Sequence, residues 1–291
     1  MNLSDLYKTY RSLCYSVAYH LTGSVSDAED VVQDVYLKLS SAEFHELDNP
    51  KAYLCKMTVN RCYDLLKSAR VKREQYVGPW LPEPLPEEQK SPEETVVQSE
   101  HLSYGVLVLL ERLSVVERTV FVLREALGLE YTAIAEIVGK SDANCRKILS
   151  RAKEKMGLSG ETSHRADFQT TDWIRQFIDA LNEGSFNQII GLLSEDVTLL
   201  SDGGGKAIAA LKPLSSREKV LQFIMGIFQN AVKTGEEVLF ELKAFNSETG
   251  VIVWSGNEIL TAALVHLDAG KAKNIYFIRN PEKLVHLYRK R

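Results

Sequence analysis

Lys56, Asn60, Tyr63 and Lys67 fall at i, i+4, i+7 and i+11, the spacing of one helical face. Cations meet phosphates, an amide can read a base edge, and an aromatic ring can stack on an unpaired base. Arg70, Lys72 and Arg73 extend the basic end. A solvated stripe is the commoner fate of such a pattern; the interleaved Asn and Tyr are what point to nucleic acid. A stronger signal lies between Lys140 and Lys155, which hold six basic and two acidic residues. Helical spacing turns Asn144, Lys147, Ser150 and Arg151 outward, with Arg146 flanking, and a helix read into a major groove needs this mix of polar and basic side chains. A third face has the opposite sign. Asp30, Gln33, Asp34 and Leu37 share the outer side of a helix over 27–38. An apolar residue ringed by carboxylates suits contact with a basic protein partner.

The C-terminal part offers little catalytic chemistry. Asp202 and His266 are the polar residues that could serve a pocket, but an Asp before three glycines is more often a turn residue, and a single strand His is usually structural. The run Asp202-Gly203-Gly204-Gly205-Lys206 lacks P-loop spacing, and Ala207 stands where a hydroxyl would bind magnesium. Successive glycines instead let backbone approach a neighbour closely, so this loop reads as a contact or hinge. The four cysteines, Cys14, Cys55, Cys62 and Cys145, are scattered; they suit neither a zinc ribbon nor a disulfide framework, and a reducing cytoplasm is the simplest setting. No cofactor and no metal are expected.

These residues need elements to carry them. Leu6, Tyr10, Leu13, Cys14, Val17 and Leu21 keep helical spacing, and Gly23 ends that helix. Ser26 with Glu29 reads as a capping box for the next, buried through Ala28, Val31, Val32, Val35 and Leu39. A third helix runs from about Pro50 to Arg73, buried through Leu54, Cys62, Leu65, Leu66 and Ala69. Later, Leu107–Leu113 is helical, Ser114 with Glu117 caps a helix ending at Gly128, and Thr132–Val138, Gly139 and the helix capped by Ser141 form a helix-turn-helix packed through Ile134, Ala135, Val138, Cys145 and Ile148. From Trp173 onward come three helices, the second through Ile189, Ile190, Leu192 and Leu193, the third over Val220–Phe228. Alternating strands follow at 238–242, 251–254, 259–267 and 275–278, giving an α+β domain.

The chain has 291 residues and a formal net charge of −4, which taken whole speaks against nucleic acid. The distribution reverses that. Residues 1–74 are neutral, 103–157 carry +2 and 158–291 carry −1, whereas 75–102 carry −5 and five of the eight prolines. Neither helix nor central strand can run through that stretch. It is an acidic linker, yet Tyr76, Val77, Trp80, Leu81 and Leu85 would be costly to leave in water, so it docks on something. No run approaches the 18 apolar residues of a membrane span, so no membrane partner is expected, and the N-terminus lacks the pattern of a signal peptide.

Asp27-Ala-Glu-Asp-Val-Val-Gln-Asp34, Tyr53-Leu-Cys-Lys-Met-Thr-Val-Asn60 with Asp64, Leu110-Glu-Arg-Leu-Ser114 and Gly139-Lys-Ser-Asp-Ala-Asn-Cys-Arg146 together resemble an extracytoplasmic-function (ECF) sigma factor of bacterial RNA polymerase. Tyr53 departs from the Trp common there but keeps a large aromatic. Tyr76-Val-Gly-Pro-Trp-Leu-Pro-Glu-Pro84, Asp202–Lys206 and Asn280-Pro-Glu-Lys-Leu284 resemble the subgroup with a SnoaL-like C-terminal extension, a cone of curved sheet and helices. The resemblance implies a multidomain chain. An all-α sigma region 2 domain spans 1–74, the Pro-rich linker 75–102, an all-α helix-turn-helix region 4 domain 103–157, a second linker 158–167 and an α+β SnoaL-like domain 168–291. It implies core RNA polymerase and promoter DNA as partners. Asp30, Gln33, Asp34 and Leu37 would bind the polymerase clamp. Lys56, Asn60, Tyr63 and Lys67, with the loop from Glu43 to Asn49, would melt and read the −10 element. Asn144, Arg146, Lys147, Ser150 and Arg151 would read the −35 element. Trp80, Leu81, Pro82, Glu83, Pro84, Asp202, Gly203, Gly204, Gly205, Lys206, Asn280 and Pro281 would regulate the factor in cis, and the cone leaves room for a small ligand of unknown identity. Two other readings stay open here: an ordinary helix-turn-helix regulator, and a regulator fused to a SnoaL-like enzyme or ligand sensor.

Overall fold

The computed structural model describes residues 2–41, 49–87, 102–158, 167–233, 235 and 237–289, with backbone alone at 68–74, 167, 168 and 289. These fall into two compact units. The first contains the described residues of Met1–Glu74, Gln89–Leu102 and Val106–Thr162; the second those of Gln75–Glu88, Ser103–Gly105 and Ser163–Arg291. The segment 75–87 and Ser103–Gly105 thus group with the C-terminal part of the chain.

The first unit is helical. Helix α1 (Leu3–Thr22) opens with a capping box of Asn2 and Asp5 and closes at Gly23, whose φ of 70° lies in the left-handed region that glycine enters without steric cost. Ser24 then caps α2 (Val25–Ser40) at once, its hydroxyl accepting from the Asp27 N–H. The capping box expected at Ser26 and Glu29 therefore does not form: with Gly23 ending one helix and Ser24 opening the next, Ser26 already lies inside α2. Helix α3 (Pro50–Glu74) completes a bundle with α1 and α2. Its buried stripe also includes Cys55, Thr58 and Val59, which the sequence reading missed; the Thr58 hydroxyl is satisfied by the Leu54 carbonyl at 2.8 Å.

Helix α4 (Tyr104–Leu110) leads to α5 (Val115–Phe121), which opens with the expected Ser114–Glu117 capping box and continues as a π-helical turn at Val122–Ala126. Helices α6 (Tyr131–Val138) and α7 (Asp142–Met156) meet at Gly139, φ 65°. They pack through Ile134, Ala135, Ile137, Cys145, Leu149, Ala152 and Met156. Ile134, Ala135 and Cys145 are buried as expected, while Ile137 and Leu149 are buried more deeply than the expected Val138 and Ile148, which are half-buried.

The second unit is α+β. Helices α8 (Asp167–Asn182), α9 (Phe186–Leu192) and α10 (Arg217–Lys233) accompany a six-stranded sheet of β1 (Leu193–Asp202), β2 (Leu214–Ser215), β3 (Val238–Phe245), β4 (Glu248–Ser255), β5 (Glu258–Asp268) and β6 (Lys271–Ile278). The order is β2-β1-β6-β5-β4-β3, and among the described residues β1 with β6 is the one parallel pair. Strand β1 was not expected. Its polar Ser194-Glu195-Asp196 and the register shift between Leu193 and Thr198 break the alternation that marks a strand. The two parallel strands end side by side, Asp202 opposite Ile278.

Candidate polymerase, DNA and linker-docking sites

On α2, Asp30, Gln33 and Leu37 are exposed, Leu37 at 58%, and Asp34 is half-buried. The Arg61 guanidinium on α3 donates to Asp34 Oδ2 at 2.6 Å, and this contact raises the Arg61 pKa above its ordinary value. Asp34, Leu37, Lys38, Met57, Asn60 and Arg61 border one depression of about 570 Å³. It joins part of the acidic face of α2 to Asn60 of the α3 stripe.

On that stripe Lys56, Asn60 and Lys67 are exposed, and Tyr63 is not. Its hydroxyl is enclosed beside Thr119 of α5, and burial pushes the phenol pKa up. The residue as a whole is half-buried, so part of it stays accessible. The expected loop residues 43–48 lie outside the described residues, as do the side chains of Ala69, Arg70, Lys72 and Arg73.

On α7 the five expected side chains, Asn144, Arg146, Lys147, Ser150 and Arg151, are all exposed. Arg146 lies over the Tyr131 ring at 4.1 Å, and Arg124 lies over the same ring at 4.9 Å. Lys153 and Lys155 are spent on Glu125 and Glu117 at 2.9 and 2.5 Å, which pins α7 to the preceding segment. Burial alone would push Glu117 up, but Lys155 and the Ser114 N–H and hydroxyl outweigh it and hold the carboxyl below its usual range.

Arg118, which the sequence reading did not single out, is 5% exposed. It donates to the carbonyls of Leu110 and Leu21 at 3.1 and 2.8 Å and to Glu111 at 2.7 Å. The Leu21 carbonyl belongs to the last turn of α1, where carbonyls have no intrahelical partner. No periodicity reveals such a residue, because an Arg in an amphipathic helix reads as surface. Within the first unit, α3 packs against both α5 and α6.

The linker site lies wholly in the second unit. Asp202, 0% exposed, accepts from the Tyr76 hydroxyl at 2.6 Å, the Leu81 N–H at 2.8 Å and Lys283 Nζ at 2.7 Å. Lys283 also donates to the Leu81 carbonyl and lies 3.8 Å from the centre of the Trp80 ring. Asn280 Nδ2 donates to the Tyr76 oxygen at 2.9 Å. Burial, then the adjacent carboxylate, push the Tyr76 phenol above its ordinary range. Leu81, Pro82, Glu83 and Pro84 are buried. Leu85 exchanges backbone and side-chain bonds with Asn246 at 3.0 Å, and the Tyr104 hydroxyl donates to the Pro82 carbonyl at 2.7 Å. Gly204 shows why the loop is glycine. A Cβ there would stand 2.4 Å from Asn280 Nδ2 and 2.8 Å from the Tyr76 oxygen, at a φ of +57°. Gly203 packs against Ala207 and Gly205 against Val77. Lys206 pairs with Glu282, and Pro281 opens the 3₁₀ turn capped by Asn280.

Asp202 therefore is neither a turn residue nor a catalytic one. It ends a strand, and its oxygens are occupied by Tyr76, Leu81 and Lys283. His266 is exposed and does not border the cavity beneath the sheet, so neither nominee could serve a reaction there.

Two family models match the helical part of the chain. The model of Sigma-70 region 2 matches residues 6–71, and that of Sigma-70, region 4, matches residues 105–156. The ECF RNA polymerase sigma factor SigJ of Mycobacterium tuberculosis is 34% identical over 236 residues, 79% of this chain and 74% of the relative. The chain belongs to the ECF RNA polymerase sigma factors. Probable ECF RNA polymerase sigma factor SigI of the same species is 29% identical over 197 residues, 67% of this chain and 68% of the relative. The crystal structure of SigJ superposes with a TM-score of 0.75 at 28% identity, covering 97% of this chain and 98% of the other. As an ECF sigma factor with a SnoaL-like extension, the chain binds core RNA polymerase and directs initiation at specific promoters; it is not an enzyme. The helical domains followed by an α+β domain are the expected fold class. Among the described residues no helix is long and apolar enough to cross a membrane.

Proposed function

We propose that the SnoaL-like domain governs this ECF sigma factor in cis by holding the linker that joins its two DNA-reading domains. Residues 1–74 bind the polymerase clamp through Asp30, Gln33, Asp34 and Leu37 and the −10 element through Lys56, Asn60, Tyr63 and Lys67. Residues 103–157 bind the −35 element through Asn144, Arg146, Lys147, Ser150 and Arg151. The chain works where polymerase is, in the cytoplasm. The observation that carries the cis reading is the seat of Tyr76 and Leu81 on buried Asp202, with Pro82 bonded to Tyr104.

Geometry gives that seat a consequence. The −10 and −35 elements are about 25 base pairs apart, roughly 85 Å at 3.4 Å per pair. A compact body of about 150 residues has a radius of gyration of about 15 Å. Region 2 and region 4 packed as one unit do not reach both elements. Twenty-eight linker residues could span about 95 Å if extended, but the bond from Tyr104 to Pro82 closes most of that length into a loop and leaves residues 75–81, roughly 25 Å if extended, as the free reach. Promoter engagement then requires the linker to leave its seat, and Tyr63 to leave Thr119. Moving such an equilibrium from 1% to 99% open takes about 5.5 kcal/mol of differential binding, for which polymerase is the source.

The test is transcription from a cognate promoter by the full chain and by chains ending after Lys155 or within residues 158–167. Different activities are expected. Equal activity from all versions removes the cis reading while leaving the sigma factor assignment untouched.

A further inference from the structure

The second unit encloses a cavity of about 90 Å³ bounded by α8, α10 and strands β3–β6. We infer that it is a binding site for a small neutral hydrocarbon, or for the hydrocarbon end of a larger neutral molecule. Trp173 and Phe177 stack at 5.0 Å along one wall, and Phe228 and Phe240 at 6.4 Å along another. Ile227 and Val253 are among the aliphatic residues between them. No charged side chain borders the cavity among the described residues.

The polar atoms that do border it are engaged elsewhere. Trp173 Nε1 donates to the Leu192 carbonyl at 3.0 Å. The Thr261 hydroxyl oxygen accepts from Arg279 Nε at 3.1 Å. A carboxylate or ammonium entering here would lose its hydration and gain no partner. A neutral apolar group loses nothing and gains dispersion contacts that the empty space withholds from its walls. Interiors are otherwise close-packed, with few voids larger than a water. Apolar cavities of comparable size, about 150 Å³, stay dry and accept benzene or xenon. Several of the lining aromatics, Phe177, Phe228 and Phe277 among them, are only partly buried, which gives a ligand a way in past them. The sheet also joins this wall to the linker seat. Phe277 borders the cavity, and two residues on, Arg279 and Asn280 both donate backbone N–H groups to the Asp202 carbonyl at 2.7 and 2.8 Å.

The inference does not rest on the cis reading, because binding is measured on the full chain without polymerase or DNA. The probes are benzene and cyclohexane, with hexanoate and hexylammonium as charged counterparts of similar carbon number. Binding is followed by melting temperature and by methyl NMR shifts of the lining Ile, Leu and Val residues. Benzene or cyclohexane should raise the melting temperature and shift those methyls at millimolar concentration, with both ions at least tenfold weaker. Ala231→Leu and Ala263→Leu, which add volume from α10 and from β5, should each weaken the neutral probes at least tenfold. The inference is overturned if no neutral probe shifts those methyls, if an ion binds as well as a neutral probe, or if both filled variants, folded by circular dichroism, bind as the parent does. Should neither variant fold, the comparison of neutral with charged probes on the unaltered chain decides alone.

Discussion

Tyr76→Phe should loosen the linker while leaving the SnoaL-like domain whole. The substitution removes one oxygen, which donates to Asp202 at 2.6 Å and accepts from Asn280 at 2.9 Å; the ring that lies 5.2 Å from Lys283 stays. A hydrogen bond to a charged group contributes about 1.5–3 kcal/mol, so the undocked population should rise about 10- to 150-fold, at 1.4 kcal/mol per decade. The Leu81 amide reports this directly. Its N–H is held by Asp202 Oδ2 at 2.8 Å and exchanges with solvent when the linker lifts. Hydrogen exchange at Leu81 should therefore accelerate by that factor, while amides of β5 and β6 keep their rates. Asp202→Asn is the harsher companion. It leaves Lys283, with 7% side-chain exposure, without its counter-charge, at a cost of about 3–5 kcal/mol, and both the domain and the linker feel it. Because Tyr76 and Asp202 share a bond, the double variant should fall short of the sum of the two. Unchanged Leu81 exchange in Tyr76→Phe, or strict additivity in the cycle, would refute the reasoning.

Three further outcomes are expected. Tyr131→Leu removes the ring beneath Arg146; an exposed cation–π contact of about 0.5–1 kcal/mol predicts a two- to fivefold loss of affinity of the α7 helix for its DNA, restored by Tyr131→Phe, in an equilibrium binding assay. Lys155→Met should destabilise the first unit by less than about 1 kcal/mol at neutral pH, since Lys155 is half exposed. Glu117 has its pKa lowered by folding, so its contribution is complete above the unfolded value of about 4.3 and fades as pH falls through the folded one. Melting curves of parent and variant should therefore converge in acid. Burial pushes Cys55 and Cys62 up to about 12, and both are 0% exposed; iodoacetamide at pH 8 should leave them unmodified in the native chain and alkylate them in denaturant.

Helical faces were readable because their signal is local. Asp30, Lys56 and Lys147 point outward as their spacing requires. What failed was what depends on a neighbour. Tyr63 belongs to the exposed stripe by periodicity, and only the packing of α5 against α3 encloses its hydroxyl. Ile148 and Leu149 are both apolar and adjacent, and only the packing decides which is buried more deeply. Strand β1 escaped because its polar stretch conceals the alternation. Asp202 looked like a turn residue because the sequence shows three glycines after it, not the lysine 81 residues away that pairs with it. The resemblance did single out the linker, glycine and Asn-Pro motifs together, and the structure brings them together around Asp202.

The receptor side of the linker seat is tied together by bonds of its own. Asp202 ends β1 and Asn280 follows β6, and backbone bonds from Arg279 and Asn280 to the Asp202 carbonyl lock the two strand ends together. The receptor side therefore has little freedom to lose. The other partner is stiffened too: Pro79, Pro82, Pro84 and Pro86 each fix a backbone angle in the free segment as well as in the docked one, which reduces the entropy that docking removes. Both partners are preorganised, so docking the linker on Asp202 removes less chain entropy than a flexible segment and a loose receptor would lose.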